Sequence, residues 1–186
     1  MKMLKKLLAV VLTGAMALTL LTACGSNAVN DKNIADALND IVKSSVAAGL
    51  TKDYTFKPRT DEQAMAKAIA ALSEAEWNTK GDGNNKFSGP VMKILGLNEG
   101  GKNETSRFVW CGAVIADEIG TAGQAYHAMN TILNQNAANA VQGKKLADIR
   151  HIGTALGTLT IHGKQTTVRF IVVTADAEDP QHPGKA

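Results

Sequence analysis

The segment that most constrains how this chain folds lies in its last third. Residues 152–161 and 166–174 are rich in β-branched side chains and flank His162-Gly163-Lys164-Gln165, which is a hairpin signal. Within the second run, Ile171-Val172-Val173 is apolar without a break. A strand with one wet face alternates apolar and polar residues, so an unbroken run predicts a central strand covered on both faces. Such a strand needs a layer above it and a layer below it.

Helical patterns upstream supply the layers. Ile34, Leu38, Ile41, Val42 and Val46 recur at helical spacing, and Gly49 suits the position just past a helix end, which predicts a first helix over 31–48. Tyr54-Thr55-Phe56 reads as a short strand, and Pro58 breaks the chain after it. Thr60-x-x-Gln63 reads as a capping box for a second helix, with Met65, Ala68, Ile69 and Leu72 on one face, running to about Trp77. Residues 78–86 and 98–106 are polar and read as loops; between them Pro90 suits the first turn of a short helix carrying Val91, Ile94 and Leu95. Residues 108–115 form an apolar run, most simply a buried strand, with a helix start as the alternative. Thr121-x-x-Gln124 reads as another capping box, ahead of a stripe of Ala125, Tyr126, Met129, Ile132 and Leu133 that ends near Asn136. Aromatic residues are only 4% of the chain, so the apolar content leans on alanine and implies close packing through small residues. The pattern predicts one α+β domain: a small, mainly antiparallel sheet between helical layers.

The first two dozen residues give an address. Lys2, Lys5 and Lys6 precede an apolar stretch over 7–20, the parts of an export signal, and the stretch falls short of the roughly 20 residues that span a bilayer. Leu21-Thr22-Ala23-Cys24-Gly25-Ser26 then resembles a lipobox, the processing site of bacterial lipoproteins. The resemblance implies cleavage after Ala23, a diacylglycerol thioether on Cys24 and often a further acyl chain on the new amino terminus. Two or three chains hold a protein firmly at a membrane, where one holds weakly. The expected organisation is a signal peptide over 1–23, a lipidated tether over 24–32, the domain over 33–176 and a frayed tail over 177–186. The expected location is the extracytoplasmic face of the cell membrane, held through the lipid on Cys24. Cleavage removes three of the 20 basic residues and leaves 17 against 17 acidic ones. A formally neutral domain gives no global electrostatic case for a nucleic-acid partner.

Once Cys24 is lipidated, Cys111 is the remaining thiol, so a disulfide within one chain is excluded; its apolar neighbours predict a buried, inert group. Among His127, His151, His162 and His182 no pair has the i,i+4 zinc spacing, and no Cys-x-x-Cys occurs, so no metal or other cofactor is expected. No hydrolase elbow and no phosphate-loop glycine pattern is found, which leaves no catalytic residues to assign. Asp117-Glu118, between a strand and a helix, reads as charge complementing a helix N-terminus, with a loop site as the alternative. Glu74 and Glu76 read as the solvated end of a helix beside Trp77, or as acids facing a groove.

Taken together, the elements resemble a divergent CAP/SCP domain, the cysteine-rich secretory and pathogenesis-related-like superfamily, over most of residues 33–174. Residues 64–77 sit where that family has an alanine-rich helix, and Lys86-Phe87-Ser88-Gly89 is similar to its aromatic-Ser-His segment. Gly112-Ala113-Val114-Ile115-Ala116 looks like the Gly-Glu-Asn-Ile-Ala motif, and residues 121–129 resemble the helix leading to a second His. Ile152-Gly153-Thr154-Ala155-Leu156 is similar to the strand that starts the terminal hairpin. The resemblance implies an α-β-α sandwich whose cleft, in the family, holds two His and two acids able to bind a divalent cation. Here Gly89 replaces the first His, Ala113 the motif Glu, and Gln135 or a neighbouring Asn stands near the second His. Gly and Ala side chains neither bind a metal nor carry a proton, so the cleft's chemistry is not inherited. The expectation is a non-enzymatic binding or interaction domain for a cell-wall component, a lipid or a protein. The alternatives are an envelope hydrolase acting around Asp117, Glu118 and His127, or a structural lipoprotein accessory to a larger complex.

Overall fold

The structure, a computed structural model, describes residues 31–77, 87–97, 107–117, 119–139, 141 and 143–179. Cys24, Glu118, His182 and the two loops expected at 78–86 and 98–106 lie outside the described residues. Four strands form one sheet: β1 (Thr55–Pro58), β2 (Arg107–Ile115), β3 (Lys145–Ile161) and β4 (Lys164–Glu178). Their order is β1-β3-β4-β2, with β1 parallel to β3 and the other pairs antiparallel. The helices are α1 (Asp31–Ala47), α2 (Thr60–Ala70), the single turns α3 (Glu74–Trp77) and α4 (Gly89–Ile94), and α5 (Thr121–Ala128), which widens into a π-turn over Met129–Leu133. Among the described residues no helix is long and apolar enough to cross a membrane.

β4 explains the apolar run that predicted it. Val168, Phe170 and Val172 point into a core with Ala66 and Ile69 of α2, Val91 of α4 and Val109 of β2. The alternate residues Ile171, Val173 and Ala175 point into a second core with Ile34, Leu38 and Val42 of α1, Ala125 and Ala128 of α5 and Trp110 of β2. Each face of this one strand thus serves its own helical layer, and period-two alternation disappears because both faces are dry. The result is the α+β architecture of a small, mainly antiparallel sheet between helical layers. Burial of each large aliphatic side chain stabilises it by about 1.5–3 kcal/mol.

Small residues set the distance between layers. A Cβ on Gly153 would lie 2.0 Å from the Gln63 amide nitrogen and 2.1 Å from the Glu62 carbonyl carbon, so the first turn of α2 rests on the backbone of β3. On the other face, a Cβ on Gly112 would meet Ile132 at 2.7 Å.

Several local expectations are corrected. Neither predicted capping box forms: Arg59 and Gly120 cap α2 and α5 without a side-chain bond, because Gln63 and Gln124 turn inward to buried partners. At Ser73-x-x-Glu76 the Glu half of such a box forms: Glu76 accepts from the Ser73 amide (2.8 Å) and hydroxyl (2.7 Å), and α3 starts as a separate turn after α2 has ended at Ala70. The hairpin turn is two residues rather than four: His162 and Gly163 both take positive φ (52° and 77°), the geometry that matches strand twist. Residues 108–115 are a strand, but an edge strand whose middle is half-buried. Its outer side is closed by Asn139, which accepts from the Val109 amide (2.9 Å) and donates to the Arg107 carbonyl (2.5 Å). The first helix runs over Asp31–Ala47, close to the 31–48 expected, and β4 continues to Glu178.

Candidate functional site

The densest polar chemistry lies where α1 and α2 begin, beside the edge that β3 exposes once β1 has ended. β1 pairs with β3 only from Ile149 to Ile152, and the Arg59 amide adds one more bond to the Ile152 carbonyl at 3.1 Å. The next outward-facing amide, Thr154, is met by the Asp31 carboxylate: Oδ1 accepts from the Thr154 amide (2.9 Å) and hydroxyl (2.6 Å), and Oδ2 from Gln63 Nε2 (2.8 Å). Behind it, Arg169 donates from Nη1 to Thr154 Oγ1 (2.9 Å) and from Nε to Gln124 Oε1 (2.7 Å), while Gln124 Nε2 donates to the Ile119 carbonyl (2.7 Å). Asp31, Thr154, Arg169 and Gln124 are all buried, so a continuous polar chain ties α1, the sheet and α5. Burial lowers the Arg169 pKa, opposed by the Asp31 charge.

A second cluster lies on the α2 face. Arg59 grips Glu62 with two parallel bonds, Nε to Oε2 at 2.7 Å and Nη2 to Oε1 at 2.5 Å. Thr174 Oγ1 donates to Glu62 Oε1 at 2.6 Å and accepts from Arg59 Nη2 at 3.1 Å. Glu62 is fully buried. Burial works against its charge, but the bonds from Arg59 and Thr174 outweigh it and hold the carboxyl below its ordinary range. His151 stands across from Thr174 in the β3–β4 register, and its buried Nδ1 has no hydrogen-bond partner among the described residues. Burial, and then the positive charge of Arg59, lowers its pKa. Above both clusters is an open depression of about 320 Å³ lined by Asp31, Lys32, Pro58, Arg59, Thr60 and Gln63.

The chemistry available here is restricted. Glu62 is ionised and fully engaged, so it has no proton to give, and Asp31 accepts three bonds from within the domain. These groups fix the helices to the sheet and shape the depression; they are not set up as an acid–base pair. Among the described residues no three His, Cys, Asp or Glu side chains could hold a metal ion.

The residues singled out in the sequence are dispersed. Gly89 opens α4 with open space where a side chain would start, and Ala113 packs into the core on that same face. Gln135 is exposed beyond the π-turn on the opposite layer, where its carbonyl accepts from Trp110 Nε1 at 3.0 Å. Asp117 does not complement α5, as expected, but accepts the Thr167 amide of β4 at 2.6 Å, which lowers its pKa. His127 is exposed against Tyr126, and no hydrogen bond among the described residues links it to Asp117. Glu74 accepts weakly from the Thr160 amide at 3.3 Å, and His151 lies within β3 rather than before it. Cys111 is half-buried in β2, yet burial pushes its thiol up to about 12. At pH 8 iodoacetamide should therefore alkylate it roughly a thousandfold more slowly in the folded chain than in urea, since only the thiolate reacts. Comparable rates by mass spectrometry would contradict the buried thiol.

Asp31, Arg59, Glu62 and Arg169 were missed by motif reading, which looks for reactive constellations. One signal was present: Arg169 interrupts the apolar series Val168-Arg169-Phe170-Ile171, and a charge inside a doubly covered strand demands buried partners. Comparison with protein-family models, curated proteins and solved structures found no match for this chain.

Proposed function

We propose that this chain is a bacterial lipoprotein anchored through Cys24 to the outer face of the cell membrane, where its CAP-like domain serves as a binding module rather than an enzyme. The observation that carries the address is the series of lysines, apolar stretch and Leu21-Thr22-Ala23-Cys24 at the amino terminus. Seven peptide steps separate Cys24 from Asp31, at most roughly 25 Å of extended chain. The first helix, which includes Asp31, is therefore held close to the bilayer, and this raises the domain's effective concentration toward envelope ligands.

The CAP-like reading is supported by the order of the elements. The alanine-rich segment coincides with α2 and α3, Ser88 caps α4, Gly112-Ala113-Val114-Ile115 lies in β2, residues 121–128 form α5 and Ile152-Gly153 begins the paired core of β3. The binding role is supported by the buried acids Asp31 and Glu62, which are already committed to internal partners. Cells expressing the wild-type chain should incorporate a clickable palmitate analogue into it, and cells expressing Cys24→Ala should not. Equal labelling of both would overturn the anchor.

A further inference from the structure

Arg150 occupies the place where β3 leaves regular pairing. Leu146 pairs with Ala177 and Arg150 with Ala175, so three residues of β3 oppose a single residue of β4. A bulge of this kind bends the strand and re-aims its side chains, and such features recur beside binding sites. The Arg150 guanidinium carbon lies 3.6 Å from the centroid of the Tyr54 ring, 5.4 Å from that of Trp110 and 6.0 Å from that of Phe56.

Ring faces stabilise a cation but accept no in-plane hydrogen bond. Arg150 Nε is buried and has no hydrogen-bond partner among the described residues. The other buried or half-buried arginines among the described residues differ: Arg59 has the Glu62 carboxylate, Arg107 has Asp176 at 3.6 Å, and Arg169 has Gln124 and Thr154. The ion pairs among the described residues all use cations other than Arg150. Burial lowers its pKa, opposed by the charge interactions with Tyr54 and Asp148 and by a side-chain hydrogen bond with Tyr54, which leaves Nε as the unmet donor. A buried donor on a charged group that is left unmet is costly, and the missing partner of a guanidinium fork is an oxyanion.

We propose that Arg150, stacked on Tyr54 and backed by Trp110, is a recognition site for the oxyanion, carboxylate or phosphate, of a ligand of this domain. The oxygens lie in the guanidinium plane, while the half-buried ring of Tyr54 flanks the adjoining part of the ligand. This deepens the reading of the domain as a binding module and is independent of the lipid on Cys24, so its failure leaves the labelling result untouched.

The test is an NMR titration of the full chain in an uncharged detergent, following the Arg150 Nε–H signal. Sodium acetate and sodium phosphate are each compared with sodium chloride at equal ionic strength. A saturable shift in the millimolar range with an oxyanion, and none with chloride, supports the site; the stronger of the two anions distinguishes a carboxylate from a phosphate ligand. Arg150→Lys, which keeps the charge but loses the fork, should bind at least about tenfold more weakly, followed by the Trp110 indole N–H. No saturable shift, a shift equalled by chloride, or undiminished affinity in Arg150→Lys overturns the proposal and leaves Arg150 a structural residue held by Tyr54 and the neighbouring rings. If the variant does not fold, the wild-type Nε–H titration decides on its own.

Discussion

Gly153→Ala should destabilise the domain by about 3 kcal/mol or more, the upper end of what overpacking costs. The new Cβ would lie 2.0 Å from the Gln63 nitrogen and 2.1 Å from the Glu62 carbon, both main-chain atoms. No rotamer change relieves a collision with backbone. The first turn of α2 would have to lift off β3, and with it Glu62 and Gln63, which bond to Thr174 and Asp31. Two other glycines calibrate the expectation. At Gly157 the Cβ would meet a Phe170 ring atom at 2.6 Å, a side chain that can turn, so the loss should be smaller. At Gly89 nothing lies within 4 Å, and alanine should be neutral or stabilising by up to about 1 kcal/mol. Thermal melts followed by circular dichroism rank the three. A Gly153→Ala melt within error of wild type would mean that α2 does not rest on this strand.

The same glycine marks how far the sequence could be read. Period and composition revealed the elements: the dry strand around Ile171-Val172-Val173, the stripe of Ile34, Leu38 and Val42, and the hairpin all occur in the structure because local pattern and burial agree there. Tertiary demand decided the rest. Gln63 and Gln124 have the spacing of capping residues, yet each is worth more to a buried partner, Asp31 or Arg169, than to a helix end that water can solvate. Helical spacing placed a helix start near residue 31, but nothing local marks Asp31 as the acceptor for an amide 123 positions away. The polar joint was therefore invisible to motif reading: it joins residues 31, 63, 124, 154 and 169, and no fixed spacing encodes such a set. Cys24 is the opposite case, a local signal that needs no fold to be read.

Removing Arg59 should cost more than removing the charge of Glu62, although the two belong to one ion pair. Glu62 is fully buried, whereas about a quarter of the Arg59 side chain is exposed. Arg59→Met leaves an ionised carboxylate in the interior with Thr174 as its remaining side-chain donor, and loss of one partner of a buried pair costs about 3–5 kcal/mol. Glu62→Gln keeps an oxygen for Arg59, which can also turn toward water, so about 1–2 kcal/mol is expected. The double variant Arg59→Met with Glu62→Gln should recover much of the Arg59→Met loss, since no buried charge is left. The pH dependence separates the cases further. In the wild type the Glu62 pKa is lowered from its ordinary 4.5, so its stabilisation is present above that value and is lost as pH falls through the folded pKa. His151, lowered from 6.5, acts in the same direction but in an earlier window: the unfolded chain takes up the proton first, and stability falls as pH drops below 6.5. In Arg59→Met the dominant influence left on Glu62 is burial, which raises its pKa, and the sign reverses. Between pH 7, where its carboxylate is ionised and unmatched, and pH 4, that variant should lose less stability than the wild type. Melts of both single variants and the double variant at these two pH values test this. Equal losses in the two single variants, or a wild-type pH slope in Arg59→Met, would place Glu62 in contact with solvent and exclude a buried pair.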